Sequence, residues 1–248
     1  INNENKDKID YLLFVGCSSS TDEKAIRSIK KFVNILNKAK ISFAILGTKE
    51  NCCGDPARRM GNEYLYEALV EKNISQFNKY DIKNVLTTCP HCYNQLKNEY
   101  KDFDISLNVR HHADFLLELI KNNNISIDKN VGKMNKITTT FHDPCYMGRY
   151  NKDYTSSRSI LKNLSISITE MYLNKEKSFC CGAGGGKMFM DEHPLNRINK
   201  ERINQAKVIN AKSIVTSCPF CKTMLSDAAA DENIEIYDIV DVIDKSIK

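Results

Sequence analysis

The spacing of the ten cysteines constrains this 248-residue sequence more than any other feature. Each half contains a single cysteine, an adjacent pair after 34 residues, and a Cys-Pro-x-Cys segment after a further 35 or 36 residues. The ten positions are Cys17, Cys52, Cys53, Cys89 and Cys92 in the first half and Cys145, Cys180, Cys181, Cys218 and Cys221 in the second. Ten cysteines do not fall into one register by chance, so the sequence predicts an internal duplication with repeats at 1–128 and 129–248.

Short apolar runs precede the cysteines, as in "YLLFVGC", "NVLTTC" and "SIVTSC". Each run is typical of a buried parallel strand, and "ISFAIL" and "ISITEMY" are further strand candidates. Apolar periodicity predicts helices at about 26–40, 61–77, 111–120, 154–164 and 195–210. Ser20 and Glu23 are expected to form a capping box before the first helix. This alternation predicts an α/β fold in which each repeat is a small parallel sheet flanked by helices, with the repeats related by a pseudo-twofold axis.

All ten cysteines follow predicted strands, so each repeat should gather five thiols at the carboxyl edge of its own sheet. The sequence contains no secretory-signal pattern, which points to the reducing cytoplasm, where structural disulfides are rare. A disulfide between adjacent cysteines would also be strained. Metal binding or redox chemistry is therefore the leading interpretation of the thiols.

Five thiols exceed the four ligands of a zinc site or of a cubane [4Fe-4S] cluster. Adjacent cysteines chelate one tetrahedral metal only through a strained ring, whereas they can bind two different irons of a larger cluster. Several alternatives stay open from the residues alone: a redox-active thiol pair beside a four-ligand site, structural zinc in both repeats, or zinc at one site and a cluster at the other.

A glycine-rich segment, "CCGAGGGK", follows the second cysteine pair. Glycine lets the backbone approach a bulky anionic cluster and direct its N–H groups at sulfur. We therefore expect Gly182, Gly184, Gly185 and Gly186 to lie beside the second site, as Gly54 would beside the first, and valine at Gly184 or Gly185 to abolish metal binding. A phosphate-binding P-loop is disfavoured because Cys181 and Met188 occupy positions that require Gly and Ser or Thr.

The formal charge of +5 is dispersed along predicted helices, so binding to nucleic acid is not expected. No apolar run is long enough to span a membrane. The sequence opens at Ile1 rather than Met, as a piece of a longer polypeptide would. Two further residues are candidates for a role near sulfur: His142, which precedes Cys145 by three residues, and Lys187, which could raise a reduction potential.

At these cysteines the chain resembles the cysteine-rich CCG-domain family, in which a Cys, a Cys-Cys pair and a Cys-x-x-Cys recur at this spacing. Within that family it is similar to heterodisulfide reductase subunits of the B or D type. It also resembles the flavoprotein-linked iron–sulfur oxidoreductases, including the iron–sulfur subunits of glycolate oxidase and anaerobic glycerol-3-phosphate dehydrogenase. The resemblance to the flavoprotein-linked oxidoreductases rests on the segments "CCGDPARRMGNEYL" and "HDPCYMGRYN".

The resemblance implies a noncubane [4Fe-4S] cluster at each five-cysteine set, and therefore two clusters per chain. The alternative is zinc at one of the two sites. It implies an oxidoreductase subunit that reduces a disulfide or similar small acceptor. The alternatives are an electron relay between a flavoprotein and a quinone or ferredoxin, and a zinc-stabilised binding module. A flavoprotein and a ferredoxin-type domain are the implied partners, and the chain could lie at the inner membrane face through a partner or an upstream segment. The two clusters should face a shared cleft.

Overall fold

The computed structural model describes residues 9–129, 132–191 and 197–247. Two parallel sheets form the centre of the molecule, one in each repeat. The first sheet has the order β2-β1-β3-β4 and comprises β1 (Tyr11–Phe14), β2 (Phe43–Ala44), β3 (Asn84–Thr87) and β4 (Asn108–His111). The second has the order β5-β6-β7 and comprises β5 (Thr139–Phe141), β6 (Ser213–Thr216) and β7 (Glu235–Asp238). The predicted α/β fold with a parallel sheet in each repeat is confirmed.

Helices flank both sheets. Those of the first repeat are α1 (Cys17–Thr21), α2 (Glu23–Lys38), α3 (Asp55–Arg59), α4 (Glu63–Lys79), α5 (Pro90–Asn94) and α6 (His112–Lys121). Those of the second are α7 (Ser156–Asn163), α8 (Ile198–Val208), α9 (Pro219–Ala228) and α10 (Ile239–Asp244). The predicted helix at 195–210 corresponds to α8, although positions 195 and 196 lie outside the described residues.

Three local predictions need correction. The capping box is wrong: Asp22 caps α2 by accepting from the Ala25 N–H at 2.9 Å, while the Ser20 hydroxyl donates to the Cys17 carbonyl. "ISFAIL" forms only the two-residue strand β2 at the sheet edge, and "ISITEMY" forms a single bridge from Ile168 to Thr139. Strands β4 and β7 were not predicted, because each is short, has fewer buried residues than β3 and does not lead to a cysteine.

The contacts between repeats have the pattern expected of a pseudo-twofold axis. Helix α2 of the first repeat packs against α10 of the second, and the equivalent α7 packs against α6. In the same way α1 contacts α9, while the π-helical turn Tyr146–Tyr150 contacts α5. Each repeat therefore covers a face of the other, while a domain boundary between 128 and 129 stays a prediction.

Alternate strand residues face two hydrophobic cores, as expected from the two-residue period of a strand. Leu12 and Val85 lie in one core, which also contains the buried cysteines, and Leu13 and Leu86 lie in the other. Ile214 of the second repeat joins the first of these cores. Both cores run through both repeats, so the sheet edges that carry the cysteines belong to one packed unit.

A buried carboxylate also joins the repeats. Asp241, at the start of α10, accepts hydrogen bonds from Lys222 at 2.6 Å, Lys31 at 2.8 Å and Ser28 at 3.2 Å. Burial alone would raise the pKa of Asp241, but the two lysines, Lys222 foremost, bring it below its ordinary value. A carboxyl group with a lowered pKa stabilises the fold above its unfolded pKa and loses that contribution as pH falls through the folded value.

We expect Asp241→Asn to destabilise the iron-free chain by about 3 kcal/mol at neutral pH, because it leaves the buried Lys222 ammonium uncompensated. Urea unfolding followed by circular dichroism would measure the loss, which should shrink below about pH 4 as the wild-type carboxylate protonates. Asp244→Asn is the matched control in the same helix, since Asp244 accepts a surface hydrogen bond from Asn34. Equal losses in the two variants, or a loss independent of pH, would contradict this prediction.

Candidate metal centre

The first five-cysteine site, comprising Cys17, Cys52, Cys53, Cys89 and Cys92, gathers at the carboxyl edge of the first sheet, as predicted. Cys17 begins α1 directly beyond β1, the adjacent pair precedes α3, and Cys89 caps the N-terminus of α5. The Sγ atoms of Cys17 and Cys52 are 4.0 Å apart. These two thiols are partly exposed, whereas Cys53, Cys89 and Cys92 are buried.

The second site has the same arrangement, with one thiol at the end of β5, an adjacent pair in the loop before α8, and two thiols at the start of α9. Its residues are Cys145, Cys180, Cys181, Cys218 and Cys221. The first two are partly exposed and the other three buried, which matches the first site position by position. All ten cysteines are free thiols.

Within each site the thiols compete for protons. Hydrogen bonds from Cys17 and Cys53 lower the pKa of Cys52 to about 3, and the same Cys17–Cys52 contact raises the pKa of Cys17. In the second site burial opposes ionisation of Cys218, yet Cys221 and His91 lower its pKa to about 6. Crowded thiols of this kind bind a cation by releasing protons. The donor set, five soft sulfurs without disulfides, fits an iron–sulfur cluster and fits hard oxygen-seeking metals poorly.

Two glycines contact the sites closely: Gly182, which was expected, and Gly16, which was not. A Cβ on Gly182 (φ +93°) would lie 3.3 Å from Met224 and 3.4 Å from Ile198, and the Gly182 N–H donates to Cys180 Sγ at 3.2 Å. In the first repeat, a Cβ on Gly16 (φ +77°) would lie 3.1 Å from Cys92 Sγ. Sequence reasoning missed Gly16, although its place just before Cys17 was a signal.

The remaining candidate glycines differ among themselves. Gly54 (φ +89°) is the N-cap of α3, and its absent side chain makes room for the Tyr66 ring. Gly186 (φ +76°) packs against Met60 of the first repeat. A Cβ on Gly184 or Gly185 would meet nothing within 4 Å, so the close approach expected there is not found, and only Gly185 has a positive φ.

A buried histidine that sequence reasoning missed joins the two sites. His91 lies between Cys89 and Cys92 of the first site, and its ring is also hydrogen-bonded to the Cys218 thiol of the second. Its Nδ1 is 2.6 Å from the Asp55 carboxylate. Burial disfavours a charged imidazole, but Asp55 and the thiols raise the pKa of His91 well above its ordinary value.

Residues of the second repeat complete this contact. The Tyr146 ring stacks on His91 with centroids 4.1 Å apart, and its hydroxyl donates to Asp55 at 2.7 Å. Phe220, which occupies in Cys-Pro-Phe-Cys the position of His91 in Cys-Pro-His-Cys, meets the imidazole edge-on at 5.0 Å. The sequence feature that could have identified His91 is this difference, His in one Cys-Pro-x-Cys segment and Phe in the other.

The two other polar candidates are placed differently. His142 is fully buried beside the second site, where one of its ring nitrogens and the sulfurs of Cys181 and Cys221 all lie within 4.8 Å of one another. Lys187 is exposed at the start of the turn Lys187–Phe189. His193, a further histidine after the glycine segment, lies outside the described residues.

A cavity of about 490 Å³ opens beside the first site. It is lined by the two partly exposed thiols of that site, Cys17 and Cys52, and by Glu50, whose carboxylate accepts from the Val15 and Gly16 N–H groups at 3.0 and 2.7 Å. Burial raises the pKa of Glu50 to about 7. All of the lining residues belong to the first repeat, so this cavity is not a cleft between the two sites; a shared cleft stays a prediction.

Comparisons with known proteins agree with this geometry. The chain is 43% identical over 245 residues to the probable iron-sulfur-binding oxidoreductase FadF of Bacillus subtilis, covering 97% of this chain and 34% of FadF. It is 40% identical over 256 residues to the EtfAB:quinone oxidoreductase of Syntrophomonas wolfei, covering 99% and 35%. The D-type polypeptide of the dihydromethanophenazine:CoB–CoM heterodisulfide reductase of Methanosarcina barkeri is 31% identical over 252 residues, covering 98% and 60%. The chain therefore spans about a third of the length of the first two relatives.

Within the described ranges, no helix has both the length and the hydrophobicity needed to cross a bilayer.

Two segments, residues 11–97 and 139–226, match the CCG cysteine-rich domain. They contain all ten cysteines and strands β1 to β3, β5 and β6, whereas β4 and β7 follow the matched segments. The chain thus belongs to the CCG cysteine-rich domain family, whose domain it matches twice.

Proposed function

We propose that the chain is the electron-transfer module of an iron–sulfur oxidoreductase, with a noncubane [4Fe-4S] cluster at each five-cysteine site. The observation that carries this proposal is the pair of equivalent five-thiol sets, each with adjacent cysteines and three buried thiols. A bound cluster would supply one-electron transfer. The names of the relatives, an iron-sulfur-binding oxidoreductase, a quinone oxidoreductase and a heterodisulfide reductase subunit, support the same class.

The cavity beside Cys17 and Cys52 is the proposed site for a small acceptor. Its volume of about 490 Å³ suits a small organic molecule. Glu50, held by two backbone N–H groups, and the neighbouring Asn51 amide would orient the acceptor, and Ile45 adds apolar contact. A disulfide bound there would take up two electrons and two protons as its S–S bond breaks to give two thiols. Cleavage of a disulfide by both clusters, with one sulfur atom bound to each, would additionally require the two sites to face a shared cleft.

A relay between a flavoprotein and a quinone or ferredoxin is the second candidate. His91 favours it, because this residue sits inside one ligand loop and contacts a thiol of the other, and so provides a short protein bridge between the sites. FadF and the EtfAB:quinone oxidoreductase are also more similar to the chain than the heterodisulfide reductase subunit. In this role the module would work beside a flavoprotein and a ferredoxin-type domain, in the cytoplasm or at the inner membrane face through a partner.

Turnover with reduced methyl viologen would test the acceptor site in anaerobically purified protein. We expect Thr48→Trp, at the cavity wall, to raise the KM for the acceptor severalfold without loss of iron. Thr21→Trp is the control, because Thr21 is exposed in α1 but does not line the cavity. Oxidation of the viologen by a disulfide would support the reductase, and oxidation by a soluble quinone alone would support the relay. Zinc in place of iron would leave only the binding-module alternative.

A further inference from the structure

The two sites have different polar surroundings. His142 is hydrogen-bonded to the Cys181 thiol of the second site, and its Nδ1 accepts from Arg202 Nε at 3.1 Å. An arginine guanidinium only donates. The neutral imidazole must therefore carry its proton on Nε2 and donate it to sulfur, which excludes His142 as a metal ligand in this arrangement.

Arg202 itself is unusual, since it is completely buried. Its Nη1 donates to the Leu173 carbonyl at 2.8 Å and to Gln205 at 2.7 Å, but its Nη2 has no hydrogen-bond partner among the described residues. Burial lowers the pKa of Arg202 to about 10, so the group remains a cation at neutral pH. Among the described residues no carboxylate is hydrogen-bonded to this buried cation. The negative groups that act on it include the Asp143 carboxylate, which is itself paired with Arg158, and the sulfurs of Cys221 and Cys181.

The first site has neither the histidine donor nor the buried arginine. Shifting by 128 residues places Phe14 at the position of His142, and a phenyl ring donates no hydrogen bond to sulfur. The carboxyl groups of Glu50 and Asp55 lie beside Cys52, and the donor to its sulfur from outside the thiol set is the backbone N–H of Gly54. Both sites have carboxylates nearby, Glu50 and Asp55 at the first and Asp143 at the second, and His91 acts on thiols of both. Among the described residues, the second site differs in having His142 as a donor to sulfur, with the buried Arg202 behind it.

We propose that His142, positioned by Arg202, holds the cluster of the second site at a higher reduction potential than that of the first. Hydrogen bonds to cluster sulfur and nearby positive charge favour the reduced, more negative state, while nearby carboxylates oppose it. An electron entering the chain would then come to rest at the second site, and the cavity beside the first site would lie at the low-potential end. This inference rests on the proposed function, because it requires both sites to hold clusters.

Redox titration followed by electron paramagnetic resonance would test the order of reduction. The signal of the second site is the one that survives in a Cys52→Ser/Cys53→Ser variant, and in the wild type we expect it to appear first. His142→Leu should lower the midpoint potential of that signal and leave the first-site midpoint unchanged. His142→Gln keeps an N–H donor and should shift it less.

The opposite order of reduction in the wild type would overturn this inference, as would an unshifted second-site midpoint in His142→Leu. If His142→Leu fails to retain iron, Arg202→Gln becomes the deciding variant. This variant keeps the His142 imidazole but removes the charge of the arginine, and it should lower the second-site midpoint potential. An unshifted second-site midpoint in Arg202→Gln would also overturn the inference. Wild-type protein without iron would instead refute the proposed function, so the two failures are distinguishable.

Discussion

Replacing Cys52 and Cys53 with serine should remove about half of the iron and acid-labile sulfide, from about eight of each per chain to about four. The adjacent pair supplies two of the five first-site thiols, and serine is a poor ligand for the soft irons of a cluster. The second site is built from different loops, so its cluster should remain. Iron and sulfide analysis of anaerobically prepared protein would measure both.

The equivalent double variant, Cys180→Ser/Cys181→Ser, is the matched control. It should remove the other half of the iron, and the two double variants should have complementary paramagnetic signals. One zinc and only about four irons in the wild type would instead support a mixed site. Complete loss of iron in either double variant would contradict independent assembly of the two sites.

Valine at Gly182 should abolish the second cluster while the fold is retained. The residue has φ +93°, and a side chain would press on Met224 and Ile198 and displace the N–H that donates to Cys180. Backbone strain of this kind costs about 1 to 3 kcal/mol, and the lost donor adds to it. Iron content, with circular dichroism to verify folding, would measure the effect.

Two further glycine variants make that experiment specific. Gly184→Val is the control, because Gly184 has no positive φ and open space around it, and its iron content should equal that of the wild type. Gly16→Val should remove the first cluster instead, since its side chain would collide with Cys92 Sγ. Equal iron in the Gly182 and Gly184 variants would show that the glycines serve only to form the loop.

The duplication, the parallel sheets and the gathering of five thiols at each sheet edge were predictable from the sequence. Cysteine spacing records them directly, and a thiol just beyond a strand such as β3 has little freedom of position. The roles of the individual glycines were harder to predict from the sequence. A run of glycines indicates a loop, but which residue adopts a positive φ or meets a thiol depends on side chains such as Met224, more than 40 residues away.

The polar residues between the sites could not be derived from local pattern. Asp55 is 36 residues from His91, so their contact forms only when the first repeat folds. Tyr146 lies in the other repeat, so its contact with Asp55 forms only once the repeats have docked. Position-by-position comparison of the repeats does contain a signal. The cysteines agree at every position, whereas His91 corresponds to Phe220 and His142 to Phe14.

The contact between His91 and Phe220 has a consequence for how such a protein can be assembled. A dimer of identical single-repeat chains would have to place the same residue at both positions. Two histidines about 5.0 Å apart would repel each other when charged, and two phenylalanines would leave Asp55 without its imidazole partner. Joining the copies in one polypeptide frees each position to differ, so two chemically equal sets of thiols acquire unequal environments, a difference that a symmetric homodimer does not permit.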